Sequence, residues 1–401
     1  MNASIVGWTE EQQLFRDAVR RFVETELAPQ REGLEHGDLP PYDVLRSFYK
    51  AFAVGSSALD RFERSLAGDP VAEPARSAAE TLIPIVEFSR HSPGLVTAMG
   101  VSVSLTAGAI LRSGSREQKE RWARDLLTLE SIGAWAITEP DSGSDAFGSM
   151  RATAHVDGDG WVLNGSKTFI TNGPYADTIV FICKLDDGRP PADREVMTFV
   201  LDRGMAGLEQ TPPLRKMGMH SSPTGEVFAT DVRVGEDRLL RAPRRAAPSS
   251  RDGAKATFAT ERASIAAMAL GIIERCLELS VGYARDRVQF GRSIGEFQLV
   301  QLKLAHMEVA RMNVENLVLR YIAMVDAGVR PTLAEASAMK LYSAQSAVHV
   351  ALEAVQVFGG NGYMAENQVE QLCRDSKVLQ IYGGTDEIQV THIAKDLLRR
   401  G

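Results

Sequence analysis

The chain predicts an α+β fold in three consecutive parts: an N-terminal helical domain, a small central β domain and a C-terminal bundle of long helices. Three observations carry this. Apolar residues recur near a 3.6-residue period through residues 1–131. β-Branched runs and a tight-turn signal fill residues 132–240. Long apolar-periodic stretches return from 257 and last to 401. Residues 241–256, rich in Pro, Arg, Ser and Ala, read as a linker.

The elements follow in order. Glu10 to Leu27 places Leu14, Val19, Phe22, Val23 and Leu27 among mostly charged residues, the pattern of an amphipathic helix. Thr9 is its N-cap, with acidic residues in the first turn. Ala78 to Phe88 and Pro93 to Leu111 are apolar and Ala/Ser-rich, which suits buried helices. Ser115 to Leu127 is another amphipathic helix, and Gly55 to Pro74 reads as loop or short helices. Ala152 to Val156 and Trp161 to Asn164 flank Asp157-Gly158-Asp159-Gly160, a hairpin signal. Thr178 to Lys184, Val196 to Asp202 and Glu226 to Val234 are further strands. Ser264 to Arg285, Gln298 to Ala327 and Thr332 to Phe358 are long helices, the third ended by Gly359-Gly360-Asn361-Gly362. Asp386 to Arg399 is the last.

Bulk properties exclude several classes. The 401 residues are 44% hydrophobic and 24% charged, with a formal net charge of −7, which argues against a general nucleic-acid binder. No apolar run reaches the roughly 18 residues of a membrane span. The polar, acidic N-terminus does not read as a signal peptide. Cys183, Cys276 and Cys373 fit neither a zinc site nor a disulfide framework, so no metal is expected and a cytoplasmic location is the plain reading.

Five segments carry chemistry. Read alone, Ile137-Thr138-Glu139-Pro140-Asp141-Ser142-Gly143-Ser144-Asp145 is a Pro/Gly turn with capping serines. Lys167-Thr168-Phe169-Ile170-Thr171-Asn172-Gly173 is a strand ending in an Asn-Gly turn. In Ala259-Thr260-Glu261-Arg262, Glu261 is a first-turn helix glutamate. Arg285-Asp286-Arg287-Val288-Gln289-Phe290-Gly291 is a helix end whose basic residues offset the dipole. Taken together with Ile381-Tyr382-Gly383-Gly384-Thr385-Asp386-Glu387, these segments resemble the acyl-CoA dehydrogenase family. The resemblance covers nearly the whole chain and extends to the long-chain and isovaleryl types within the family.

The resemblance implies an FAD enzyme that desaturates an acyl thioester between its α and β carbons. Such chemistry needs a carboxylate for the α proton, a hydride acceptor and donors for the thioester carbonyl. Ile137 and Thr138 would meet the flavin ring edge, Ser144 the cofactor or pantetheine region, Phe169 the ring's flank, and Thr171 the ring. Arg287, with Gln289 and Phe290 nearby, would reach the pyrophosphate of FAD bound mainly by a neighbouring subunit. Gln356, Gly359 and Gly360 would reach across the same interface. Thr385 and Glu387 fall near the adenine-ribose half. Many relatives carry the base directly after the loop tyrosine, but here that residue is Gly383. Relatives with this glycine place the base on the long helix before an arginine, so Glu261 is the expected base. The Gly383 N–H, aided by an FAD ribityl hydroxyl, would polarise the carbonyl. Arg262 and Tyr382 would contact the substrate. Asp386 and Glu387 are weaker bases because their helix points them away.

The expected partners are an acyl-CoA or an acyl-carrier-protein thioester, an electron-transferring flavoprotein, and further copies of the chain in a homotetramer built as a dimer of dimers. Alternatives are a carrier-protein dehydrogenase of a biosynthetic pathway, a flavin oxidase or monooxygenase on the same fold, or a non-catalytic flavoprotein. Three departures stand out. His220 replaces the arginine of many relatives and receives no catalytic role. Residues 55–73 lack the usual Pro-x-x-Tyr-Gly-Gly segment. Arg241, Arg244, Arg245 and Arg251 form a basic loop that reads as solvated, with contact to a CoA phosphate or an acidic carrier protein as the alternative.

Overall fold

The computed structural model describes residues 7–37, 39–68, 77–241 and 250–399. Its first part stacks α1 (Glu10–Phe22), α2 (Arg31–Glu35), α3 (Tyr42–Ala51), α4 (Val54–Ala67), α5 (Ala78–Ser89), α6 (Pro93–Gly100), α7 (Gly108–Ser113), α8 (Arg116–Gln118) and α9 (Arg124–Thr128). Thr9 caps α1: its hydroxyl accepts from Gln12 N–H at 3.2 Å, and Gln12 accepts from the Thr9 N–H at 3.1 Å. The helix then widens into a π stretch, Val23–Leu27.

Two sequence readings change here. Residues 54–67, read as loop or short helices, form one 14-residue helix that ends at Gly68 with φ +76. Ala58, Phe62 and Leu66 are spaced four apart and pack beside Trp122 and Leu126, which holds α4 in place. A π stretch, Val101–Ala107, joins α6 and α7 into one 21-residue helix, Pro93–Ser113, long and apolar enough by length and composition to cross a membrane. That corrects the reading that no run is long enough. Ser102, Ser104 and Thr106 had interrupted the apolar run in the sequence. Leu95, Val96, Ala98, Ala107 and Ile110 of this helix are buried inside the protein, as in a core helix.

The central sheet contains β1 (Gly133–Ala136), β2 (Thr153–Asp157), β3 (Gly160–Thr171), β4 (Thr178–Leu185), β5 (Val196–Asp202), β6 (Leu208–Gln210) and β7 (Thr224–Gly235). β4 lies at its centre and is buried along nearly its whole length. It pairs antiparallel with β5 on one side and parallel with β1 and β2 on the other. β2, β3, β7 and β6 continue antiparallel. The Gly158-Asp159 turn closes the β2–β3 hairpin, with Gly158 at φ +60.

The last part contains α10 (Ser250–Asp286), the hairpin β8 (Val288–Gln289) and β9 (Arg292–Ser293), α11 (Gln298–Asp326), α12 (Leu333–Phe358), α13 (Gln368–Lys377) and α14 (Asp386–Arg399). α10 starts at Ser250, so it takes in the end of the stretch read as a linker. Arg244, Arg245 and the Arg251 side chain lie outside the described residues. α10 packs against α5, α11 and α12. Ala266, Ala267, Met268, Ala269 and Leu270 are consecutive and all buried, the all-round apolar surface of a core helix. At Gly271 a Cβ would overlap the Val86 carbonyl oxygen, so glycine is what lets α10 touch α5.

Candidate active site

Glu261 sits on α10 opposite the loop that leads into α14. Gly383 and Gly384 in that loop have φ +61 and +87, a region open to glycine and costly for other residues. A Cβ on Gly383 would run into Ile265 Cδ1 and lie 3.7 Å from the Cδ and Oε1 of Glu261. The glycine backbone and the carboxylate therefore face one another directly. Among the described residues, none hydrogen-bonds or ion-pairs with the Glu261 carboxylate. Burial raises its pKa, and the nearby charges of Arg262 and Lys340 oppose that rise. An unpaired carboxylate with a raised pKa is suited to taking up a proton.

The neighbours divide sharply. Arg262 is 3% exposed, and its guanidinium turns into the seam between α12 and α14. There it donates to Ser337 Oγ at 3.1 Å and lies 3.2 Å from His392 Nδ1. Adjacent helix residues point about 100° apart, so Arg262 is engaged in this seam while Glu261 faces Gly383. Tyr382 is half-buried, its hydroxyl 3.4 Å from Met268 Sδ. Asp386 is engaged by Lys340 at 3.3 Å, Gln345 at 3.3 Å and Gln380 at 3.1 Å, which leaves it no role as a base. Thr385 Oγ1 accepts from the Ile388 N–H at 3.4 Å, and Glu387 is exposed on the first turn of α14.

A second group gathers at the end of β1. The Thr168 N–H donates to the Thr138 carbonyl at 2.9 Å. Lys167 Nζ donates to the Ile137 carbonyl at 3.1 Å and to Glu139 Oε1 at 2.7 Å. Glu139 also accepts from the N–H groups of Arg151 and Ala152 at 2.6 and 2.9 Å. Ile137 and Thr138 are thus tied to Lys167 and Thr168, the two residues before Phe169. Ser144 is exposed in the following loop. Phe169 has φ +57 and is 69% exposed. An apolar ring held outside the core in a strained conformation leaves a flat face for a planar ligand to cover, so this group fits a flavin ring edge.

The buried Lys167–Glu139 pair was not singled out in the sequence, where Lys167 stands beside the exposed Ser166 in a strand of mixed burial. Replacing Lys167 with Met should cost about 2 kcal/mol, because Glu139 keeps only its two backbone donors. Urea denaturation measures that cost, and a fall in bound FAD should accompany it. Asn172, read as part of a turn, is a fully buried knot. It accepts from Tyr42 Oη at 3.0 Å and donates to the carbonyls of Ala98 and Gly133, both at 2.9 Å. His220 is tied down on both ring nitrogens, its Nδ1 2.8 Å from the Glu35 carbonyl and its Nε2 2.9 Å from the Lys216 carbonyl.

A third group lies at the far end of α10. Arg287, Gln289 and Phe290 occupy the β8–β9 corner, where Phe290 is 93% exposed with φ +52. Gln356, Gly359 and Gly360 end α12 beside it. The rings of Tyr283 and Phe358 stack at 4.1 Å, joining the two helix ends. Roughly 37 Å of helix separates Glu261 from Asp286, the residue before Arg287. The expected cofactor residues therefore fall in separate groups within one chain.

Helical domains flanking a β domain, with a carboxylate on the longest helix facing a glycine backbone and an exposed aromatic ring on β3, are the frame of an FAD-dependent dehydrogenase. The chain belongs to the acyl-CoA dehydrogenase family: the family's N-terminal domain matches residues 9–130, its middle domain 134–232 and its C-terminal domain 252–398. An acyl-CoA dehydrogenase of Bacillus subtilis is 36% identical over 97% of this chain and 98% of its own length. The structure of butyryl-CoA dehydrogenase from Megasphaera elsdenii superposes with a TM-score of 0.85 at 30% identity, covering 99% of this chain and 100% of that one. The structure of the prolyl acyl carrier protein oxidase AnaB superposes with a TM-score of 0.83 at 28% identity, covering 98% and 100%.

Proposed function

We propose that the protein desaturates an acyl-CoA to its trans-2-enoyl thioester, with Glu261 as the base. The unpaired Glu261 carboxylate facing the Gly383 backbone carries this reading. Glu261 takes the α proton. The Gly383 N–H donates to the thioester oxygen as negative charge gathers there. Bound FAD supplies the acceptor for the β hydride. Thr138, Phe169 and Thr171 would hold its ring edge. An electron-transferring flavoprotein then takes the electrons.

Anaerobic titration with short, branched, medium and long acyl-CoAs tests the reading. One class should bleach the oxidised flavin band. No bleaching by any class, with FAD bound, overturns it. Similarity to a carrier-protein oxidase favours a second reading, in which the acyl group rides on a carrier protein. Bleaching by carrier-bound chains but not by CoA esters would select that reading.

The assembly is proposed to be a homotetramer, a dimer of dimers. One chain's Arg287 and Gln356 lie too far from its own Glu261 for a single dinucleotide to span, so they serve a neighbour's cofactor. Leu299, Leu302, Val309 and Met312 form an exposed apolar stripe at heptad spacing on α11, a face for a second copy to cover. Val309→Asp should shift the mass measured by light scattering to a smaller species and release FAD. A wild-type monomer that retains FAD would overturn the assembly.

A further inference from the structure

Two adjacent glycines form a poor mount for a catalytic N–H, since each is the most mobile kind of residue. Here their carbonyls are gripped from behind. Gln389 Nε2 donates to the Gly383 carbonyl at 3.0 Å and to the Gly384 carbonyl at 2.7 Å. Lys340 Nζ donates to the Gly384 carbonyl at 2.9 Å. Gln389 and Lys340 are both fully buried. Gln389 Oε1 is buried with no partner, so the amide is retained for its donors. A Cβ on Gly384 would stand 2.8 Å from Gln389 Nε2, so only glycine admits this grip. Asp386 orients the Lys340 ammonium at 3.3 Å.

We propose that Lys340 and Gln389 are positioning residues: they clamp the carbonyls of Gly383 and Gly384 so that the Gly383 N–H stays aimed at the thioester oxygen. The inference rests on the role of Gly383 given above. Lys340 has a second consequence. Its ammonium faces Glu261 and Arg262 on α10 and Asp386 on α14, with His392 beyond Arg262. Its charge opposes the burial that raises the Glu261 pKa. Losing that charge should move Glu261 protonation to higher pH.

The test uses FAD-loaded Gln389→Met, Gln389→Asn, Lys340→Met and Lys340→Arg. Two quantities are read: the limiting rate of flavin bleaching against pH, and the red shift of a chromophoric conjugated enoyl-CoA on binding. The shift reports carbonyl polarisation without turnover. Gln389→Met should lower the limiting rate about 10- to 100-fold, with the substrate dissociation constant changed less than about threefold, and should shrink the red shift. Lys340→Met should do the same and also move the acid limb of the rate profile upward. Lys340→Arg should restore that limb. If Gln389→Met fails to fold, Gln389→Asn, whose shorter amide cannot reach both carbonyls, still reports the red shift.

An unchanged red shift in the Met variants, or in Gln389→Asn where Gln389→Met does not fold, overturns the clamp. A uniform loss at every pH, equal in Lys340→Met and Lys340→Arg, overturns the charge effect. Glu261→Gln is the parallel control and should keep the full red shift. If Glu261→Gln bleaches normally, the base is wrong while the clamp is still judged by the shift.

Discussion

Replacing Glu261 with Gln should reduce the rate of flavin bleaching by acyl-CoA about 10²- to 10⁴-fold while FAD stays bound. The substitution keeps the volume and removes the basicity. It should disturb little else, because no described residue bonds to the carboxylate. Stopped-flow measurement of the reductive half-reaction checks the loss, and the oxidised spectrum checks the cofactor. Asp386 does not substitute, since three side chains already occupy its oxygens. A wild-type rate in the variant would remove Glu261 as the base.

The same variant should be the more stable protein at neutral pH. Burial, the largest cause, raises the folded pKa of Glu261 above its ordinary 4.5. A carboxyl raised in this way contributes stability that is full below the unfolded pKa and is lost as pH rises through the folded value. At pH 7 to 8 the wild type therefore bears the cost of a buried charge that glutamine avoids. The melting temperature of Glu261→Gln should exceed that of the wild type there, and the gap should close toward pH 4.5. Wild-type turnover should fall on the acid side as Glu261 protonates. One group thus acts with opposite signs on function and on stability.

Much of this was readable from sequence because local rules and burial agree. Thr9 and Thr332 cap the helices they precede, and β5 spans Val196–Asp202 as its β-branched run suggests. The glycine at 383 pointed to Glu261, and the two face each other. What escaped depends on direction in space. Arg262 follows Glu261 in sequence yet turns into another seam. Lys167, Lys340 and Gln389 act from inside the protein on backbone carbonyls, contacts that no spacing reveals. The strain at Phe169 is invisible in a run that reads as ordinary strand. α3, whose Tyr42, Leu45, Phe48 and Tyr49 do recur at helical spacing, was legible and went unread.

Arg16→Met should destabilise the fold by about 4 kcal/mol, the cost of breaking a buried ionic network from one side. Arg16 is 6% exposed. Its Nε donates to Glu87 Oε1 at 2.6 Å, its Nη2 pairs with Glu274, and its Nη1 lies 3.9 Å from Glu315. One guanidinium therefore ties α1 to α5, α10 and α11. Burial alone would lower the Arg16 pKa, but Glu274 and Glu87 more than offset it. Arg20 and Arg90 retain contacts with both carboxylates, so the network is weakened without being emptied. Lysine at 16 should not rescue, because a single ammonium cannot reproduce the fork. The pH dependence identifies the cause. Burial pushes Glu87 up, yet hydrogen bonds and charge from Arg20 and Arg16 hold it below its ordinary 4.5. A depressed carboxylate contributes stability that is present above the unfolded pKa and lost as pH falls through the folded one. The deficit of Arg16→Met, read by urea denaturation, should be largest near neutrality and shrink below pH 4.5. A deficit that does not vary with pH would assign the loss to the stacking of the Arg16 guanidinium over the Trp8 ring, 5.1 Å from its centroid.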